Sequence, residues 1–365
     1  MIRGHGGDIH QLARRLGCQP GDIADMSSNV NPLGPMPELM AHLRRHLDDI
    51  RALPEVDAAT MTAAFARTCG LSPDQVLAGN GSTEIIYLLP RVLAPARAVI
   101  LGPTYADYAD ACRLAGVPVH HVAARAEDGF APPIGRLAAD LRDDDLVFVC
   151  NPNNPTGALI DVDRLVDLAR AHPGCRFVVD ESYLAFAGPV PSLAGRAADN
   201  LMVLSSMSKI HRIPGLRIGF VAATAAVISK LAAHRLPWSL NALAQAAVSF
   251  LAQHPEAVAA FVDETCGFLE AERRHVCARL SGASGLRTFE SHTSFILMAL
   301  FPPASAAAVC AALAERMILV RDASNFIGLG PQYLRLSLKD RAANDRAVDL
   351  LDALLSASVT GGVAP

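Results

Sequence analysis

Short apolar runs alternate with stretches of helical periodicity through the first two-thirds of the chain. The runs at 98–101, 119–122, 146–150, 177–180, 201–205 and 218–222 read as strands, most of them apolar end to end. Apolar positions at helical spacing recur between or beside them at 84–93, 105–115, 162–171 and 225–234. Strands without alternation are buried on both faces, and crossover helices between them make a mostly parallel α/β sheet. An alanine-rich helical stretch follows, roughly 241–280. Beyond it the pattern changes: 294–300, 318–321 and 333–338 predict strands of a smaller α+β domain, closed by a helix over 342–356. The Gly-containing tail, 359–365, is expected to fray. There is no internal repeat and no low-complexity linker, so the domains are expected to pack tightly.

Composition narrows the class. The 365 residues are 51% hydrophobic and 19% charged, which suits a globular chain with a sizeable core. A net charge of −4 offers no basic field for nucleic acid. The eight cysteines are scattered without a C-x-x-C pair. That spacing argues against a zinc site or a disulfide framework and for a reducing compartment. No apolar signal segment opens the chain, so a cytoplasmic address is expected. The stretch between Arg235 and Glu256 lacks Asp, Glu, Lys and Arg but contains Pro237, Asn241, Gln245 and Gln253. It reads as a buried helix rather than a membrane span.

The polar motifs sit just past the predicted strands, where open α/β sheets bind ligands. Ser206-Met-Ser208-Lys209 follows one such strand, with Arg217 soon after. A lysine among hydroxyls and a cation can lose its proton and attack an aldehyde. This points to pyridoxal 5'-phosphate (PLP) held as a Schiff base. Gly79-Asn-Gly81-Ser82-Thr83-Glu84 opens a helix, and its free N–H groups can hold a phosphate; an ordinary helix cap has the same composition. Tyr105 stands where an aromatic ring can stack on a flat heterocycle, or simply fill a core. Asn153-Asn154-Pro155-Thr-Gly157 is a turn by composition, and an asparagine amide there can donate to a phenolic oxygen. Asp180 ends a buried strand, where a carboxylate needs a cation or donors. A protonated pyridine nitrogen would serve, and so would a helix start. Tyr183 would then reach the ring's phenolic oxygen, and Arg217 the phosphate. Arg321 ends one late strand and Arg335 sits inside another; each calls for an anion, either a substrate group or a structural partner.

In this order, the motifs resemble the fold-type-I PLP enzymes of the class I/II aminotransferase superfamily, over nearly the whole chain. The resemblance implies a large domain built on a mostly parallel seven-stranded sheet and a smaller α+β C-terminal domain. It divides the chain into an N-terminal arm (1–50), a large PLP-binding domain (51–245), an interdomain helix (246–282) and a small domain (283–358). It makes Lys209 the Schiff-base lysine and Asp180 the partner of the pyridine nitrogen. Asn154 and Tyr183 become the contacts to the ring oxygen, and Tyr105 the stacking ring. Gly81, Ser82, Thr83, Ser206, Ser208 and Arg217 become the phosphate cup, and Arg335 the grip on the substrate carboxylate.

Two branches of that superfamily fit, the histidinol-phosphate aminotransferases and the threonine-phosphate decarboxylases of cobalamin synthesis. His5-Gly6-Gly7-Asp8, the segment from Ser27-Ser28-Asn29 to Gly34, Leu236-Pro-Trp238 and Arg321-Asp-Ala-Ser-Asn325 resemble the second. That branch implies decarboxylation of O-phospho-L-threonine to (R)-1-aminopropan-2-yl phosphate by a homodimer, with His5, Gly34, Asn154, Arg321 and Arg335 toward the substrate. The alternatives are an aminotransferase acting on histidinol phosphate and, more remotely, a PLP-binding regulatory protein without catalysis. One position departs from the pattern. Relatives carry Tyr-Pro-Asp/Glu where this chain has Leu53-Pro54-Glu55, so a phosphate contact from the neighbouring subunit is lost.

Overall fold

The computed structural model describes residues 6–196, 198–283 and 285–360. The first strand, β1 (Ala24–Met26), joins a sheet made otherwise from the far end of the chain. The large sheet comprises β2 (Val76–Asn80), β3 (Arg97–Gly102), β4 (Val119–Ala123), β5 (Asp145–Cys150), β6 (Arg176–Asp180), β7 (Leu201–Ser206) and β8 (Ile218–Ala222). Their order is β2-β8-β7-β6-β5-β3-β4. Pairing is parallel from β4 across to β7, and β8 runs antiparallel to both its neighbours. This is the seven-stranded, mostly parallel sheet expected.

All six positions of β5 are buried, as two covered faces require. Leu146, Phe148 and Cys150 face the cluster that includes helices Ser82–Leu93 and Asp107–Leu114; Val147 and Val149 face the cluster that includes Val162–Ala171. Asp145, buried at the entry of this strand, is neutralised by Arg97, whose Nε and Nη2 donate to it at 2.9 and 2.6 Å.

The second sheet adds β9 (Leu286–Thr288), β10 (Phe295–Leu300), β11 (Ile318–Asp322) and β12 (Tyr333–Ser337) in the order β1-β11-β12-β10-β9. β1 pairs parallel to β11, and the other pairs are antiparallel. The N-terminal arm thus delivers Asp25 and the serines after it to the edge of this sheet. The closing helix is Arg341–Thr360; the rest of the predicted tail lies outside the described residues.

The long helix expected over 241–280 is two helices, Ala242–Gln253 and Pro255–Leu280. Pro255 starts the second, and His254 before it sits at φ −125°, ψ 53°. Proline suits a first helical position but pushes its predecessor out of the helical region. No helix among the described residues is long and apolar enough to cross a membrane.

Candidate active site

The parallel strands end on one edge of the sheet, and β2, β5, β6 and β7 end at or lead into polar groups there. β2 leads to Gly81 and the helix Ser82–Leu93, whose cap Gly81 offers no side-chain acceptor. Its first N–H groups therefore remain available. Gly81 lies at φ +81°, and a Cβ there would stand 2.6 Å from Arg217 Nη2. A Cβ on Gly219 would stand 2.1 Å from Ser82 N. The two glycines let β8 and the guanidinium press against the helix start, a close approach that only glycine allows.

β6 ends at Asp180, which is 4% exposed. Its Oδ1 accepts from Ser182 N at 2.9 Å and its Oδ2 from the Tyr108 hydroxyl at 2.7 Å. β7 runs into a single helical turn, Met207–Ile210, which holds Lys209. Burial, then the charges of Arg217 and Arg335, bring the Lys209 ammonium down to about 8; Asp180 opposes them. The Ser208 hydroxyl is spent on β8, donating to Ile218 O at 3.2 Å.

After β5, Asn151 and Asn153 staple the turn. Asn151 exchanges hydrogen bonds with the backbone of Ile160, and Asn153 Nδ2 donates to Pro103 O at 2.8 Å. Asn154 is left to face the cavity, with its Oδ1 accepting from Arg335 Nη1. Burial raises the Tyr183 phenol to about 12, and Asn29 Nδ2 donates to its oxygen at 3.2 Å. Burial, then Asp107, raises the Tyr105 phenol too.

Two adjoining cavities share Tyr105, Asn154, Tyr183 and Lys209. The inner one, about 80 Å³, has Ser82, Thr83, Ser206, Ser208 and Arg217 in its wall along with Asp180. The outer one, about 320 Å³, is bounded by Arg321 and Arg335 from the second sheet, by Asn325 from the turn after β11, and by Asp25, Ser27 and Ser28 from the arm. Arg321 and Arg335 are direct cross-strand partners. Arg335 Nη2 donates to Ser27 O at 2.7 Å and its Cζ lies 5.0 Å over the Phe295 ring, while its Nε is buried without a partner. Arg321 donates to Asn325 Oδ1 at 2.7 Å. Among the described residues, neither arginine forms a salt bridge.

Every expected cofactor residue thus borders the inner cavity. Of the expected substrate residues, Asn154, Arg321 and Arg335 border the outer one. Gly34 borders neither: its φ of +86° makes it a turn glycine, 3.8 Å from Arg212 Nη1 measured from the Cβ it lacks. His5 lies outside the described residues. Leu53 is 75% exposed. Sequence reading missed Asp25, which orders the arm: its Oδ1 accepts from Ser27 Oγ at 2.7 Å and its Oδ2 from Ser28 Oγ at 2.5 Å. It also missed Asn29, which accepts from Ser337 Oγ at 2.8 Å and so ties Tyr183 to β12. Only the Ser-Ser-Asn cluster itself marked them.

A helix start without a side-chain cap stands with an arginine in the same small cavity as a carboxylate and a half-buried lysine of lowered basicity. That set fits a phosphorylated pyridine aldehyde, and fold and site together define a PLP enzyme of fold type I. The chain belongs to the family "Aminotransferase class I and II", whose pattern matches residues 21–351. It is 31% identical to the threonine-phosphate decarboxylase of Salmonella typhimurium, over 99% of this chain and 98% of that one. It is 32% identical to a histidinol-phosphate aminotransferase of Methylobacillus flagellatus, over 96% and 94%. A bifunctional adenosylcobalamin biosynthesis protein of Leptospira interrogans matches at 27%, and there the chain spans 40% of the relative's length. Among solved structures, the L-threonine-O-3-phosphate decarboxylase of Porphyromonas gingivalis has a TM-score of 0.82 at 31% identity, covering 92% of this chain and 100% of that one. A PLP complex of the histidinol-phosphate aminotransferase of Sinorhizobium meliloti has the same fold, with a TM-score of 0.82 at 20% identity, covering 95% and 94%.

Proposed function

We propose that this protein is a decarboxylase of O-phospho-L-threonine, yielding CO2 and (R)-1-aminopropan-2-yl phosphate. The observation that carries the reading is the cross-strand pair Arg321 and Arg335, two guanidiniums on one cavity without a salt bridge among the described residues. A buried guanidinium and a half-buried one on the same cavity call for a ligand with two anionic groups. A phosphorylated amino acid has both, a carboxylate for Arg335 and a phosphate for Arg321. Histidinol phosphate has only the phosphate.

Asp180, which shares the inner cavity with Arg217, is our candidate partner of the cofactor's ring nitrogen. The helix start and Arg217 take its phosphate, and Asn154 and Tyr183 its phenolic oxygen. Bound there, PLP supplies a sink for the electrons of whichever Cα bond breaks. The protein chooses that bond by how it holds the substrate. Arg335, fixed by Asn154 and Ser27 O, sets the direction of the carboxylate. Lys209, brought down to about 8, is partly neutral near neutral pH and serves as the amine that exchanges with the substrate's. When protonated, it is the group placed to return a proton to Cα after CO2 leaves.

A second reading has its own support. An aminotransferase also meets a dianion, its dicarboxylate acceptor, and the relative at 32% identity is a histidinol-phosphate aminotransferase. The deciding experiment mixes holoenzyme with O-phospho-L-threonine and follows CO2 and the amino alcohol phosphate. Absence of CO2, with 2-oxoglutarate-dependent turnover of histidinol phosphate, overturns the decarboxylase. We also propose a homodimer: Ile50, Leu53, Val56, Leu236 and Trp238 are all exposed, and Trp238 N donates to Val56 O at 3.0 Å, which places two of these segments side by side.

A further inference from the structure

Tyr108 borders the inner cavity but not the outer one, and it is one of the most deeply buried polar groups of the site. It lies in the helix Asp107–Leu114 with none of its surface exposed, and its hydroxyl donates to Asp180 Oδ2 at 2.7 Å. Its ring is stacked on Phe148 at 5.1 Å and edge-on to Tyr105 at 5.7 Å. The phenol cannot swing away from the acid without breaking both contacts. With Ser182 N on the other oxygen, each carboxylate oxygen of Asp180 has a donor.

We infer that Tyr108 is a positioning residue that fixes the Asp180 carboxylate by its hydrogen bond and thereby keeps the cofactor's ring nitrogen protonated. The inference rests on reading Asp180 as the partner of that nitrogen. One proton lies between the carboxylate and the nitrogen, and it resides on the more basic of the two. Donors to a carboxylate stabilise its anion and lower its basicity. Losing the donor from Tyr108 shifts the sharing of that proton from nitrogen towards the carboxylate, and nothing else changes hands. Burial and the neighbouring Asp180 charge hold the phenol's own ionisation well above its ordinary range, so Tyr108 stays the donor in this pair. The residue follows Tyr105 by three positions, which puts both rings at the start of one helix.

The test reads the nitrogen directly. Holoenzyme is reconstituted with PLP carrying 15N in the ring, and the nitrogen shift is recorded by NMR for wild type, Tyr108→Phe and Tyr108→His. Wild type is expected at the protonated position. In Tyr108→Phe the ratio of protonated to neutral nitrogen falls by about ten- to a hundredfold, the size of one lost hydrogen bond to a charged acceptor. Tyr108→His, which keeps an N–H donor, recovers part of that loss. A nitrogen that stays protonated in Tyr108→Phe, whatever the change in melting temperature or PLP affinity, overturns the inference and leaves Tyr108 a packing residue. A neutral nitrogen in wild type instead refutes the Asp180 reading itself and carries the inference down with it. If the phenylalanine variant does not fold, Tyr108→His and Tyr108→Gln are read alone; weaker donors must displace the signal, and an unmoved signal overturns the inference.

Discussion

Lys209 should destabilise the fold that it equips for chemistry. The lysine is half-buried, with two arginines and one aspartate near it, and its ammonium falls from 10.5 to about 8. A drop of that size corresponds to about 3 kcal/mol between the charged and neutral forms. Folded protein binds this proton more weakly than unfolded chain does. The penalty is therefore full below pH 8, fades between 8 and 10.5, and is gone above. Lys209→Met keeps the length of the side chain and removes the charge, at the expense of the attraction to Asp180. In cofactor-free protein at pH 7 we expect a gain of about 1–3 kcal/mol, or about 1–4 °C in melting temperature for a chain of this size. The assay is thermal melting of both apoproteins at equal concentration, at pH 7 and at pH 10. The difference should shrink to below about 1 kcal/mol at pH 10. A variant no more stable than wild type at pH 7, or a gain of equal size at both pH values, would refute the reasoning.

Three further outcomes are expected. Gly219→Ala places a methyl 2.1 Å from Ser82 N and must part β8 from the helix start, so PLP affinity of the apoprotein, measured by equilibrium titration, should fall by about tenfold or more. Arg335→Lys cannot serve Asn154 and Ser27 O together with a carboxylate; kcat/KM should drop by about 10- to 100-fold while PLP occupancy, read by absorbance, is kept. Glu181, buried against Ser192 and Leu193 N, is raised to about 7, so its contribution to stability is present below its unfolded value of 4.5 and lost as pH rises through 7. Glu181→Gln should accordingly raise the melting temperature at pH 8 and not at pH 4.5.

The large sheet was legible because its inner strands are apolar on both faces, and because each motif follows a strand end. Asp180, Lys209 and Asn154 could therefore be placed before any pairing was known. The strand β2 escaped notice: it is only Val-Leu-Ala-Gly-Asn, and Gly79 is there because a Cβ would come within 2.7 Å of Ile85. The break at His254–Pro255 was hidden by the helical pattern continuing on both sides. Contacts across long separations were out of reach. Arg321 and Arg335 looked like two unrelated cations until β11 and β12 set them opposite each other. Asn29 meets Tyr183 and Ser337, separated from it by 154 and 308 positions, and no local pattern announces that meeting.

The reversed strand β8 has a consequence for how this site tolerates change. Because β8 returns antiparallel from the edge where β7 ends, a single connection, residues 207–217, carries both Lys209 and Arg217. Gly81, Asn154 and Asp180 arrive at the ends of separate strands, each followed by its own excursion, and those excursions can lengthen without altering the spacing of the strand ends. This one cannot. A residue added between Lys209 and Arg217 would change the spacing of these two cavity-lining side chains, so the connection acts as a ruler between them. A scan of single-residue insertions should find this segment intolerant, while the loops on the opposite edge of the sheet accept them.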